Sequence, residues 1–137
     1  MTNEGTDGES TGKLKRLRIW QQNMNKSSTA QWGLINSSTD GDTLANDYDV
    51  VMLQEPYLDG FGNPKATRAW RVVIPKAGRR EGGKVRTIML VNKRISTNAW
   101  KEWEIEGGEG DIVGIQVETG LGTLDILNVY NDGTHDR

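Results

Sequence analysis

The run Val50-Val51-Met52-Leu53 constrains this chain more than any other stretch. It is continuously apolar, partly β-branched, and bounded by Asp49 on one side and Pro56 on the other. A strand with one face in water alternates apolar and polar residues, so a run without a polar position predicts a strand buried on both faces. The segments "WRVVIP" (70–75) and "TIMLVN" (87–92) repeat the signal, the second almost continuously. A sheet built from such strands has a face that must be covered by another layer.

The remaining segments offer few helices for that purpose. Leu17, Ile19 and Trp20 suggest a short strand, closed by the amide-rich "QQNMN". Ser27 and Ser28 are capping candidates for a helix with Ala30, Leu34 and Ile35 at roughly helical spacing, although Gly33 weakens the pattern. Near the other end Val113, Ile115 and Val117 alternate, "ETGLG" turns the chain and "TLDILNVY" runs back. This predicts an antiparallel hairpin with a loop longer than the tight two-residue type. The stretch "STNAWKEWEIEGGEGD" fits neither period. Strands outnumber helices roughly six to one. The class is α/β (α+β), with a mostly antiparallel or mixed sheet and few helices. At 137 residues the chain suits one domain. Residues 1–13, rich in Gly, Ser, Thr and acid without periodicity, read as a disordered lead-in, and 14–137 as the domain.

Charge and special residues narrow the chemistry. A formal net charge of -2 provides no global attraction to nucleic acid, so a polyanion site has to be local. Without cysteine there are no disulfides and no thiolate ligands, and a single histidine argues against a zinc site of the usual kind. The opening residues lack the apolar core of a secretory signal, and no segment reaches membrane-spanning length. These features lead us to expect an intracellular protein, nuclear or cytoplasmic, with no membrane partner.

Three polar residues stand at the ends of expected apolar strands: Asn23, Glu55 and Tyr130. Rigid strand ends hold side chains at the rim of a cleft, where sites are commonly built. Glu55 follows the buried run directly and precedes Pro56, so its carboxylate needs a partner or a cation unless it simply points to water. An all-oxygen site suits Mg²⁺, which often takes one or two carboxylates and keeps its remaining waters. Asn23 is either a turn residue bonding its own backbone or an amide that orients a carboxylate or a metal-bound water. Tyr130 is either a half-buried packing residue or a phosphate ligand. The basic loop with Arg79, Arg80, Lys84 and Arg86 is a solvated loop or a phosphate contact. His135 stands too close to the frayed end to serve well as a base. Met24, Met52 and Met89 read as packing.

Taken in order and with their gaps, "QQNMNKS", "LQEPY" and "ILNVYND" resemble the endonuclease/exonuclease/phosphatase superfamily, the deoxyribonuclease I-like group. The phrases "LRIWQQNMNKS", "VMLQEPYLD", "WRVVIP", "IMLVNKRIST" and "LNVYNDGTHDR" look most like the endonuclease domain of non-LTR (LINE-type) retrotransposons, particularly the fungal kind. The resemblance covers residues 17–137. It implies a four-layer α/β sandwich, two sheets face to face with helices outside, and a Mg²⁺-dependent endonuclease acting on DNA. By position, Asn23 matches the first-strand Asn beside the metal site, Glu55 the Mg²⁺-binding Glu, and Tyr130 the Tyr that hydrogen-bonds the scissile phosphate.

The sequence departs from that pattern after Tyr130. The family's water-activating Asp arrives in a Gly-Asp-Phe-Asn type motif, and its phosphate-holding His in a Ser-Asp-His type motif. Neither occurs in these 137 residues, and His135 has the wrong context to substitute. The chain therefore corresponds to the N-terminal half of the family's catalytic domain, with activity alone not expected. Half of such a sandwich would leave one sheet with its inner face uncovered, a surface suited to a complementing half-domain. A non-enzymatic remnant of a degenerate retroelement is the alternative.

Overall fold

The computed structural model describes residues 16–36, 38–39, 42–64, 66–75, 85–103, 105 and 110–131. The expected lead-in (1–13), the basic residues Arg79, Arg80 and Lys84, and His135 lie outside them.

The buried run forms β4 (Val50–Gln54), at the centre of a four-stranded sheet. On one side lies β1 (Ile19–Asn23), parallel to it; on the other β6 (Thr87–Asn92), antiparallel, followed by β5 (Trp70–Val73) at the far edge. The sheet is thus mixed, as its composition predicts. Every residue of β6 is buried, which explains its unbroken apolar reading. Helix α1 (Ser28–Ile35) follows β1, and the short α2 (Leu44–Asp47) precedes β4. Between the helices, β2 (Ser38–Thr39) and β3 (Asp42–Thr43) form a two-residue ribbon.

The second sheet is antiparallel: β7 (Trp100–Trp103), β8 (Ile112–Thr119) and β9 (Gly122–Val129), in that order. A 3₁₀ turn at Thr97–Ala99, capped by Ser96, starts β7 in the stretch that had no clear period. The β8–β9 hairpin departs from expectation. Pairing continues to Thr119 opposite Gly122, leaving a two-residue turn of Gly120 and Leu121. The Thr119 hydroxyl closes it, donating to the Gly122 carbonyl (2.7 Å) and accepting from the Leu121 N–H (3.1 Å). Gly122, at φ +126, takes a conformation that side chains disfavour.

Two cores follow from this arrangement. Val50, Met89 and Val91 of the first sheet meet Val113, Ile115, Val117 and Ile126 of the second. On the opposite face Val51, Leu53, Ile88 and Leu90 meet Met24, Ile35 and Leu44 from the helical side. The successive residues Val50 and Val51 belong to different cores, which is what a strand buried on both faces requires. Buried side chains of this kind contribute roughly 2–5 kcal/mol each against truncation to alanine.

The uncovered surface is smaller than half a sandwich suggests, because the second sheet covers the first over most of its width. It stops short of β1: Ile19 pairs in register with Val50 and so shares its face, yet Ile19 is exposed while Val50 is buried. Among the described residues β9 is the edge of its sheet; Leu124, on the inner face with Ile126, and Leu127 and Val129, on the outer face, are exposed along it.

Candidate functional site

The site lies where β4 and β9 end on the same side of the sandwich. Asn128, fully buried, bridges the two sheets. Its amide nitrogen donates to the carbonyls of Leu53 (3.0 Å) and Ile88 (2.9 Å), and its oxygen accepts from the Gln54 amide (2.9 Å). A buried amide with each of these bonds made fixes position strongly, because every misplacement leaves polar groups unpaired. The residue after each strand end is therefore placed with little freedom.

These residues are Glu55 and Tyr130. The Tyr130 hydroxyl donates a 2.8 Å hydrogen bond to Glu55 Oε2. Its backbone N–H is anchored on the Asp111 carbonyl (2.8 Å). Glu55 carries a second signature: its φ is +49, left-handed, although it is not glycine and precedes Pro56. Steric restriction before proline favours an extended backbone, so this conformation is strained by about 1–3 kcal/mol. Two hydrogen bonds hold it there, from the Glu55 N–H to the Arg86 carbonyl (2.9 Å) and from the Lys26 N–H to the Glu55 carbonyl (2.8 Å). The strain turns the carboxylate out of the sheet into a cleft of about 680 Å³ that Lys26, Tyr57, Leu58, Arg86 and Tyr130 help to line.

Asn23 pairs with Gln54 at the end of the parallel β1–β4 ladder, one residue before Glu55. Its side-chain oxygen accepts from the Asn25 N–H (2.8 Å), which makes it a turn residue next to the site. Asn25 and Lys26 then both take positive φ, and the Ser27 N–H closes the turn on the Met24 carbonyl (2.9 Å). Ser27 caps α1 by accepting from the Ala30 N–H (3.0 Å), as its position in the sequence suggests. The same turn delivers Lys26 to the cleft, a cation that spacing alone does not reveal.

Of the four basic residues only Arg86 is described. It borders the cleft and forms an ion pair with Asp111 (2.7 Å). Asp49, by contrast, is structural. It binds Arg94 (2.7 Å) and the backbone N–H of Arg18 (2.7 Å), tying the start of β4 to the chain entering β1. Burial pushes its carboxyl up, but the hydrogen bonds from Arg94 and Arg18 outweigh that and hold it below the usual carboxylate range.

Mg²⁺ makes modest demands of a protein, one or two carboxylates with water completing the octahedron. Among the described residues no three acidic or histidine side chains converge as a metal cage. The donor set fits a largely hydrated ion on a single carboxylate, with Glu55 aimed into an open cleft by its backbone.

No family model and no curated protein matches the chain. Among solved structures it is similar to the endonuclease domain of TRAS1, a telomere-specific non-LTR retrotransposon, at 16% identity and a TM-score of 0.58. The match covers 88% of this chain and 48% of that one, so the chain spans about half the length of the solved domain. The likeness is one of fold: a retrotransposon-endonuclease-like α+β architecture with a mixed and an antiparallel sheet.

Proposed function

We propose that this chain, with its retrotransposon-endonuclease-like fold, carries one wall of a divalent-metal-dependent site for phosphodiester hydrolysis in DNA. The observation that carries the reading is the Glu55–Tyr130 pair, two residues far apart in sequence joined at the ends of β4 and β9, with Glu55 held in a strained conformation. Glu55 supplies the carboxylate for Mg²⁺, Asn23 stands next to it, and Tyr130, whose single hydroxyl proton goes to Glu55 in the free site, would turn it to a phosphate oxygen once the cation occupies the carboxylate. Lys26 and Arg86 add positive charge beside the cleft for the DNA backbone. Bound there, Mg²⁺ would offset the charge on the phosphate and leaving oxygen. The acid that activates water and the histidine that holds a phosphate oxygen belong to the opposite wall, for which these 137 residues contain no motif. On this account the chain alone does not nick DNA, and its origin is a retroelement.

A plasmid-nicking assay with Mg²⁺, with EDTA and with Glu55→Gln tests it. No nicking by the chain alone is expected. Nicking that depends on Mg²⁺ and Glu55 would refute the inactivity and leave the site reading intact; nicking indifferent to Glu55 would refute the site reading.

A second reading has its own observation. Among the described residues β9 is the edge of its sheet, with Leu124 exposed on its inner face and Leu127 and Val129 on its outer face. Edges of this kind accept another strand. Under this reading the chain is a binding half-domain that pairs there with a complementing half, and a sedimentation profile that stays monomeric in the presence of such a half counts against it.

A further inference from the structure

Seven large apolar side chains are exposed among the described residues. Five lie on β1, on β9 or in the β8–β9 turn: Ile19, Leu121, Leu124, Leu127 and Val129. The other two, Trp32 and Phe61, are aromatic, and Trp32 stands beside the candidate site. Trp32 projects from α1 at 53% exposure, although the helix has a buried face next to it in Gln31 and Ile35.

Trp32 borders a second cleft of about 600 Å³, formed with Ser28, Thr29 and Tyr57. Tyr57 is a wall of this cleft and also of the one that holds Glu55 and Tyr130, so the two are neighbours across a single side chain. The shared wall is rigid. Gln31, buried in α1, accepts from the Tyr57 N–H (2.7 Å) and donates to the Tyr57 carbonyl (3.4 Å), locking the helix to the segment after Glu55. Here a buried amide is used to hold an aromatic residue in place while the adjacent tryptophan is left in solvent.

We infer that the Trp32–Tyr57 cleft is a nucleobase subsite, taking the base of a DNA nucleotide next to the phosphate bound at Glu55 and Tyr130. The inference rests on the phosphodiester reading for what lies in the neighbouring cleft. An exposed Trp32 face opposite a half-buried Tyr57 whose backbone is held by Gln31 suits the flat π-surface of a base, and stacking of this kind tolerates any sequence. The hydroxyls of Ser28 and Thr29 in the same cleft supply donors and acceptors for a base edge. The acidic net charge does not oppose this, because stacking needs no global positive field and Lys26 lines the phosphate cleft.

The test measures binding of a dye-labelled eight-nucleotide thymidine strand and of an abasic strand of equal length, by fluorescence anisotropy in Mg²⁺. The wild-type chain should prefer the base-bearing strand. Trp32→Ala should weaken that strand by roughly 5- to 150-fold, the range of one lost base–aromatic stack, and leave the abasic strand unchanged. Trp32→Phe should retain most of the preference. Because Trp32 is half exposed, an unchanged melting temperature is expected for both variants, and the Phe variant decides the question if the Ala variant is destabilised. Equal binding of the two strands by the wild type, binding of neither, or no loss in Trp32→Ala overturns the inference. A Glu55→Gln arm separates the two readings: if it alters neither strand while Trp32→Ala weakens the base-bearing one, the phosphodiester reading fails and the base subsite stands.

Discussion

The Tyr130 hydroxyl donates to Glu55 Oε2 at 2.8 Å across a sequence separation of 75 residues. Nothing local brings these groups together. Their meeting depends on β9 packing over β4 in one register, and Asn128, two residues before Tyr130, sets that register from inside the sandwich.

Replacing Asn128 therefore tests whether packing and site are coupled. Asn128→Leu removes the side-chain hydrogen bonds that the Leu53 and Ile88 carbonyls accept beyond their ladder partners and the acceptor of the Gln54 amide, at a cost of about 1–3 kcal/mol in urea titration. Asn128→Asp should be no better, because a carboxylate cannot donate to the Leu53 and Ile88 carbonyls. In both variants the Tyr130 ring resonances should shift. A stability loss with unmoved Tyr130 signals would show that the site does not depend on this bridge.

Acid sensitivity should trace to Asp49. Its carboxyl titrates lower in the folded chain than the ordinary 3.8, so the unfolded state takes up the proton first. The stabilisation is fully present above the unfolded value and is lost as pH falls from there through the lowered folded value. Asp49→Asn should be less stable than wild type at pH 7 and should lack this component of the decline below about pH 4. Urea midpoints between pH 7 and pH 2.5 measure it; parallel curves for the two proteins would contradict the assignment.

The fold was legible where burial left a one-dimensional trace. The run Val50–Leu53 announced a two-faced strand because each face lost its water to a different layer. Ser27 marked the start of α1 because capping is local chemistry. The inward face of that helix was not legible: Ala30 is exposed and Gln31 buried, since the Gln31 amide finds its partners on Tyr57, 26 residues away. The hairpin turn is tighter than "ETGLG" suggests for a similar reason, as the Thr119 hydroxyl supports two further residue pairs, Glu118–Thr123 and Thr119–Gly122.

The sequence placed Asn23, Glu55 and Tyr130 at strand ends, as the structure does, but carried nothing of their geometry. Pro56 argues for an extended Glu55, yet tertiary hydrogen bonds from Lys26 and to Arg86 impose the opposite hand. Asn23 took the turn role beside the cleft. Lys26 and Asn128 carried no signal of their own, because a single Lys in a polar stretch and a single Asn within an apolar strand gain meaning only from what packs around them.

Paramagnetic broadening by Mn²⁺ tests the central claim most directly, since the ion substitutes for Mg²⁺ and reports its own position. With increasing Mn²⁺, amide signals of Lys26, Glu55, Tyr57, Arg86 and Tyr130 should broaden before all others, and Glu55→Gln should abolish the effect at the same concentration. Broadening centred elsewhere, or an unchanged pattern in Glu55→Gln, would contradict a metal–phosphate wall at Glu55 and Tyr130.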